Sequence, residues 1–324
     1  MKTARLRIEQ RGIALLMAIL MVALATMLAV GIATESYMDH RRTATTLLLD
    51  QAYILGLGAE DLAADVLVED AKGSTIDTTK EDWATPIMLP VDEGIGDIKG
   101  NLEDLQGRFN LNNLLNIDGT KNEPAVKQFE HLLEILGLEP RWANIMVDWL
   151  DANNNPESPD GAEDSAYAGQ SPPYLTANMS ITRTSEMLSL IGMTKAMYDK
   201  LEPFVSALPP GTGINVCTAP HEILDSLATT RSQFGNNEST FISNRNNGCY
   251  PRVSEIKNDF KGDTNFDKLM TAHPDYLVES SNYFRANILV TIGTTDLTMY
   301  SVLNRFGNSA NARVRVIQRS FGTP

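Results

Sequence analysis

The sequence predicts an α+β fold: a long N-terminal helix lying on an antiparallel sheet, with a large all-α insertion that interrupts the sheet. Three observations carry this. Apolar residues recur at helical spacing, with no proline, from Ile13 to Ala71. Segments of alternating character lie both at Gly96–Leu105 and beyond Tyr283. The stretch between them, about 170 residues, is helical in pattern, so the two strand groups must pair across an insertion.

The N-terminus begins with Lys2, Arg5, Arg7 and Arg11 against Glu9, then Gly12. Ile13 to Thr34 follows with no charged side chain, 22 residues that reach about 33 Å as a helix, enough to span the hydrocarbon of a bilayer. Basic residues stay on the cytoplasmic side, so the bulk of the chain is expected across the membrane. Nothing after Thr34 is long and apolar enough to cross back, which predicts a single pass. A secretory signal fits poorly, because its apolar region is shorter and ends in a small-residue cleavage site.

The helical pattern continues past the membrane. Leu47, Leu48, Leu49, Ala52, Leu55, Ala59, Leu62, Ala63, Val66 and Leu67 recur with Asp50, Gln51, Glu60, Asp61 and Asp65 between them. One helix of about 58 residues, on the order of 85 Å long, would end at Lys72-Gly73-Ser74. A loop with Pro86 and Pro90 leads to the strand at Gly96–Leu105. Helices are expected at Val126–Leu136, Arg141–Leu150, Ser185–Leu190, Ala196–Val205 and Pro220–Ala228. The segments Tyr283–Gly293, Leu297–Arg305 and Ala312–Arg319 read as a closing antiparallel meander.

Composition narrows the function. Formal net charge is −14, and the leader contributes +3, leaving the remainder near −17. Such acidity disfavours nucleic acid and anionic lipid as partners and suits divalent cations. The two cysteines, Cys217 and Cys249, both lie in the exported part, where one disulfide is the default and two buried thiols the alternative. A disulfide closing that loop would contribute roughly 3–4 kcal/mol in the chain-entropy model. His40, His131, His221 and His273 form no paired-ligand spacing. A Cys217–His221 nucleophile and base has no flanking signature, and a disulfide would remove the thiol. There is no P-loop or dinucleotide glycine pattern, so no enzyme is expected.

The richest chemistry lies in DWLDANNNPESPDGAEDSAY (Asp148–Tyr167). Asp148, Asp151, Asp160, Glu163 and Asp164, with Asn153, Asn154 and Asn155, gather many hard oxygen ligands in one loop. Asp151, Asn153 and Asn155 match the first, third and fifth positions of an EF-hand. Pro156 then replaces its Gly, and Ala162 stands where its bidentate Glu belongs, so this is not an EF-hand. The reading is a structural calcium ion held by Asp148, Asp151, Asn153, Asn155, Glu163 and Asp164; the alternative is a solvated acidic turn.

Several motifs carry a family resemblance. Arg11-Gly12 followed by Ile-Ala-Leu-Leu resembles the processing site of type IV prepilins and type II secretion pseudopilins. The resemblance implies cleavage by a prepilin peptidase between Gly12 and Ile13, with methylation of Ile13. That family usually has Glu at the fifth mature residue, which here is Met17. QGRFNLNNL (Gln106–Leu114), Asp148–Tyr167 and LEPFVSALPPGTGINVCTAP (Leu201–Pro220) resemble the minor pseudopilin K of type II secretion, over nearly the whole chain. The family's usual residue at Cys217 is Asn.

The resemblance implies a pseudopilin fold divided as leader 1–12, transmembrane 13–34, stem and first strands 35–105, helical insertion 106–280 with two subdomains meeting near 180–200, and closing strands 281–324. It implies calcium near Asp148–Tyr167 and a place in the inner membrane of a Gram-negative bacterium, with the globular part in the periplasm. It implies a tip position initiating the pseudopilus, since Met17 needs no partner above it. The partners implied are the I and J minor pseudopilins, then the H type, the major pseudopilin and the inner-membrane assembly platform. The competing reading is a helix-hairpin-helix DNA-binding protein of a pilus or competence system, suggested by Gly213–Pro220. The segment His221–Asp225 around that hairpin is acidic through Glu222 and Asp225, the wrong charge for phosphate.

Replacing Gly12 by Ala or a larger residue is expected to block processing, leaving a precursor about 12 residues heavier on a gel. N-terminal sequencing decides it. Mature protein starting at Ile13 in the variant, or elsewhere in the parent, would overturn the cleavage assignment.

Overall fold

The computed structural model describes residues 10–91, 96–228, 233–307 and 309–323. Lys2, Arg5, Arg7 and Glu9 of the basic leader lie outside them. Helix α1 runs unbroken over Gln10–Gly73, 64 residues, so it begins before Gly12 and ends two residues beyond the predicted Ala71. Residues 13–34 are exposed throughout. Among the described residues, α1 is the one helix long and apolar enough to cross a membrane, and none of its most apolar window is buried.

After α1 come the strands β1 (Ile87–Val91) and β2 (Gly96–Asp104). β1 falls in the segment expected to be a loop. Its Pro90 pairs with Asp97, and β1 forms one edge of the sheet, where a missing N–H on the outer side costs no ladder hydrogen bond.

The insertion then runs β3 (Phe109–Asn110), α2 (Glu123–Ile135), α3 (Trp142–Leu150), α4 (Asp164–Tyr167), α5 (Lys195–Leu201), β4 (Val205–Ser206), β5 (Ile214–Asn215), α6 (His221–Ser226), α7 (Glu238–Arg245), α8 (Val253–Asp259), α9 (Thr264–Ala272) and β6 (Leu277–Val278). Helix α2 starts where Asn122 accepts the Ala125 N–H, with Pro124 in the first turn, and its face of Val126, Phe129, Leu132 and Leu133 is buried. Ser185–Leu190 is a 3-10 turn at Thr184–Ser189. The predicted helix at Ala196–Val205 stops at Leu201, passes through a 3-10 turn, and gives Val205 to β4, which pairs parallel with β3. One continuous apolar cluster from Phe109 to Leu277 holds the insertion together.

The chain closes with β7 (Tyr283–Ile292), β8 (Thr295–Phe306) and β9 (Arg313–Phe321), within a residue or two of the predicted meander. The five-stranded antiparallel sheet has the order β1-β2-β7-β8-β9, so β2 and β7 are neighbours despite the insertion between them. Phe284, Ala286, Ile288, Val290 and Ile292 face α1 and form a second core with Ala52, Ala59 and Leu67. Of the periodic stem residues, Leu48, Leu55, Ala63 and Val66 pack at the margin of this core, while Leu47, Leu49 and Leu62 remain exposed. Close approach depends on small residues: a Cβ at Gly56 would meet Met299 Cε at 3.3 Å. Buried Glu60 reaches from α1 to Arg319 at 2.6 Å and also accepts the Ser301 hydroxyl.

Both ends of the insertion meet in one polar knot. Asp104, the last residue of β2, accepts hydrogen bonds from Asn215 Nδ2 (3.0 Å), Thr218 Oγ1 (2.5 Å) and Ser281 Oγ (2.6 Å). Asn215 also donates to the Asp77 carbonyl, and Asp77 accepts the Ser281 N–H. Arg305 of β8, 8% exposed, pairs with Asp77 and with Asp70 of α1 at 2.9 Å, donates to the Ser281 carbonyl, and lies 5.0 Å from the Phe284 ring. Burial, together with the nearby Glu81 and Asp77 carboxylates, pushes Asp70 up to about 7, although Arg305 pulls the other way. Cys217 and Cys249 form a disulfide with Cα atoms 4.6 Å apart, tying the start of α6 to the turn before α8.

Arg305→Ala should cost about 3–5 kcal/mol in urea unfolding, because it strands buried carboxylates without a counter-charge. The double variant with Asp77→Asn should recover a large part of the loss. A midpoint shift worth less than about 1 kcal/mol in the single variant would show that the knot does not hold the fold.

Candidate metal centre

The acidic loop is built between two helices. Every residue of α3 is buried, so Asp148 in its last turn faces inward at 0% exposure. At the C-terminal end of α3, Asp151 accepts the Asn153 N–H at 3.0 Å, and Asn153 Oδ1 accepts the Asn155 N–H at 2.8 Å. These successive side-chain turns fold the loop outward. The chain returns through Gly161, where a Cβ would run into Asp148 Oδ2 and the Glu157 backbone, so only glycine fits. Glu163 then precedes α4, 3% exposed. The side of the loop is pinned by Lys121, whose Nζ lies 2.9 Å from Glu157 and 3.2 Å from Asn144 Oδ1. Trp149 and Tyr167 pack edge-on beneath it at 5.3 Å.

The fold brings Asp148, Asp151 and Glu163 together, all buried, with carboxylate oxygens within 4.8 Å of one another. The other three expected ligands are exposed or engaged with other groups. Asn153 and Asn155 are exposed on the loop, the first already capping a backbone amide. Asp164 turns to Thr176, accepting its N–H at 3.0 Å and its hydroxyl at 2.7 Å. Sequence reasoning missed Gly161 and Lys121. Gly161 carries a signal, lying between Asp160 and Glu163; Lys121 is distant in sequence and carries none.

The electrostatics of the three carboxylates are unbalanced. Burial raises Glu163 to about 7, and the carboxylates of Asp148, Asp151 and Asp164 add to the shift. Burial likewise raises Asp148 to about 6 against the hydrogen bonds it accepts from the Glu157 and Ala162 amides, and Asp151 is raised too. Neither oxygen of Glu163 has a hydrogen-bond partner among the described residues. A buried carboxylate with nothing donating to it is costly unless a cation supplies the missing charge. An all-carboxylate oxygen set with orphaned lone pairs fits a hard divalent cation. A second group, Asp70, Asp77 and Glu81, is as tightly gathered, but Arg305 bonds two of its members from within the protein.

The remaining sites of interest fall outside this loop. Gly12, Ile13 and Met17 all lie on α1; Met17 is 58% exposed in the bare apolar stretch. At the hairpin Gly211–Pro220, most of the amides are consumed within the chain. Gly211 donates to Asn113 Oδ1, Thr212 to Pro209, Ile214 to Tyr276, Val216 to Val278 and Thr218 to Asn215. Those amides are therefore not available to cradle a phosphate. With Cys217 in a disulfide, the imagined thiol nucleophile beside His221 does not exist.

Comparison with known proteins agrees with the long helix and the antiparallel sheet. Residues 107–210 match the family model for type II secretion system (T2SS), protein K. The type II secretion system protein K of Pseudomonas aeruginosa is 32% identical over 98% of this chain and 94% of its own length. That of Pectobacterium carotovorum is 30% identical over 98% of both chains. A chain in the crystal structure of the GspK–GspI–GspJ complex from the enterotoxigenic Escherichia coli type 2 secretion system superposes with a TM-score of 0.74. It is 26% identical, and the match covers 87% of this chain and all of that one. With a bare apolar stem, a sheet split by a helical insertion and this likeness over its whole length, the chain belongs to the type II secretion system protein K family.

Proposed function

We propose that this chain is a minor pseudopilin, cut after Gly12, that sits at the tip of a type II secretion pseudopilus and initiates its assembly from the inner membrane. The observation that carries the reading is the likeness, over 87% of the chain, to a member of a GspK–GspI–GspJ complex. The chemistry is association rather than catalysis. Stem residues Leu47 and Ile54, 58% and 66% exposed, give α1 an apolar stripe one heptad apart for packing against the helices of I-type and J-type partners. H-type and major pseudopilins would add below, fed by the inner-membrane assembly platform. Met17 supports the tip position, since the apolar span carries no carboxylate in need of a partner above. The insertion, bulky beside the slender stem, supports it as well, because it would obstruct repeated stacking. The globular part would lie in the periplasm.

The acidic loop's part in this reading is structural. Asp148, Asp151 and Glu163 would hold one calcium ion, which supplies the charge that lets three buried carboxylates share one site and fixes the loop to α3 and α4.

Co-purification of the membrane-embedded full chain with its I-type and J-type partners tests the assembly role. Leu47→Asp with Ile54→Asp should abolish recovery of the complex while leaving the chain folded; undiminished recovery would remove the stem stripe from the mechanism.

The calcium reading predicts a pH signature. Glu163 is raised to about 7 from 4.5 and Asp148 to about 6 from 3.8, so the folded loop holds protons that the unfolded chain has already released. Without cation, stability should therefore fall as pH rises from about 4 to about 7.5. Calcium replaces those protons, so the gap between melting temperatures in calcium and in chelator should widen from pH 5.5 to pH 8. Glu163→Gln should shrink the gap. Identical melts at pH 8 would reduce the loop to an acidic turn.

A further inference from the structure

On the far side of the sheet from α1, the insertion folds back over the strands and leaves a small cleft. Thr182–Thr184 and Val205–Ala207 form its roof, and Arg285, Tyr300 and Gln318 of β7, β8 and β9 form its floor. Its volume, about 50 Å3, holds a few waters or one small charged group, so a larger ligand enters only by its tip. In a chain of formal net charge −14, three arginines, Arg108, Arg183 and Arg285, line this one place.

Two of them are already balanced. Glu103 Oε2 lies 2.8 Å from Arg108 and 2.7 Å from Arg285, and Glu202 Oε1 lies 3.5 Å from each. These two pairs cancel. Burial, with Arg285 as its neighbour, holds Arg108 below the usual range. Arg183 makes no ion pair among the described residues. The nearby Glu186 is occupied instead with the backbone N–H groups of Thr182 and Arg183. With its amide turned to suit both neighbours, Gln318 accepts from Arg183 Nε at 2.8 Å and donates to the Thr182 carbonyl at 3.2 Å, which seats Arg183 over β9.

Two further donors at this cleft have nothing to bond among the described residues. Ser206 is 2% exposed, and its hydroxyl has no hydrogen-bond partner. Arg285, with its side chain 14% exposed, has an Nε–H that is buried and equally unpartnered. Buried donors left unsatisfied are rare and costly, and here two of them line a cleft beside an unpaired cation. We propose that this cleft is a binding site for a single carboxylate, held by the Arg183 guanidinium, Arg285 Nε–H and Ser206 Oγ–H. Size and charge both select this ligand: one planar oxyanion with one negative charge matches one arginine outside any ion pair and two unpartnered donors on residues lining the same cleft. The carboxylate comes from a chain terminus or acidic side chain of a protein segment lying along the outer face of the sheet, or from a free small acid.

The test uses the full chain in detergent micelles with nitrogen-15-labelled arginine, reading the arginine Nε–Hε signals by NMR at matched chloride. The probes are acetate, N-acetyl-dialanine with a free C-terminus, its C-terminal amide, and sulfate. Acetate and the free-terminus peptide are expected to move the Arg285 signal saturably, and the amide is expected to do nothing. Tighter binding of the peptide than of acetate assigns the site to a protein segment; binding of acetate alone assigns it to a free small acid. Arg183→Gln should weaken binding at least about tenfold, the loss of one charge-assisted hydrogen bond, with an unchanged melting temperature. Ser206→Ala should weaken it less and leaves the charge intact. The proposal falls if no arginine signal saturates, if all arginine signals move alike, if Arg183→Gln binds as the parent does, or if sulfate saturates the signal and the carboxylates do not.

Discussion

Everything beyond the apolar half of α1 depends on closing the sheet across an insertion. β2 ends at Asp104 and its partner β7 begins at Tyr283, so the fold must hold two distant points of the chain together before the ladder between them can form. A buried knot of Asp104, Asp77, Ser281, Asn215 and Arg305 does this. Arg305 is the member that makes it tolerable. One guanidinium meets Asp70 at the end of α1, Asp77 beyond it and the Ser281 carbonyl where the insertion ends, and it lies against Phe284. Helix, sheet and insertion thereby share one counter-charge. The two apolar cores are thus joined by a polar network rather than by merging, and its geometry fixes their mutual orientation more narrowly than apolar contact could.

The same physics explains why the two carboxylate clusters differ. Each gathers three acidic side chains within 4.8 Å. In the Asp70–Asp77–Glu81 group the chain supplies its own cation, and Glu81 accepts from the Thr78 amide and the Trp83 indole. At Asp148–Asp151–Glu163 no cation pairs with the group among the described residues, and Lys121, at the side of the loop, is held by Glu157 and Asn144. That contrast is what separates a structural network from a proposed ion site, and acidic density alone would not have told them apart.

The stem divides in the same bottom-up way. Its apolar part, residues 13–34, is exposed on all sides among the described residues, as a helix surrounded by lipid would be. Its second half buries a stripe that includes Ala52 and Ala59, small residues that let the sheet approach, and turns Leu47 and Ile54 outward. A monomer has no use for exposed apolar residues there, which is why association is the function proposed for them.

Local pattern was enough to fix the long helix, the alternating strands at Gly96–Leu105 and Tyr283–Arg319, the family motifs and the acidic loop, because helical and strand periods are written in neighbouring residues. It failed where the deciding partner lies far along the chain. Strand β1 was unreadable because Pro90 is permitted only by its edge position, and Val205 looked helical until pairing with Phe109 drew it into β4. The loop's composition named six ligands, but composition does not say which way a side chain turns. Burial in α3 sends Asp148 inward, Thr176 draws Asp164 away, and Gly161 leaves the room that Asp148 needs. The knot at Arg305 and the arginine cleft were invisible for the same reason: each joins residues whose only relation is the space that the folded chain gives them.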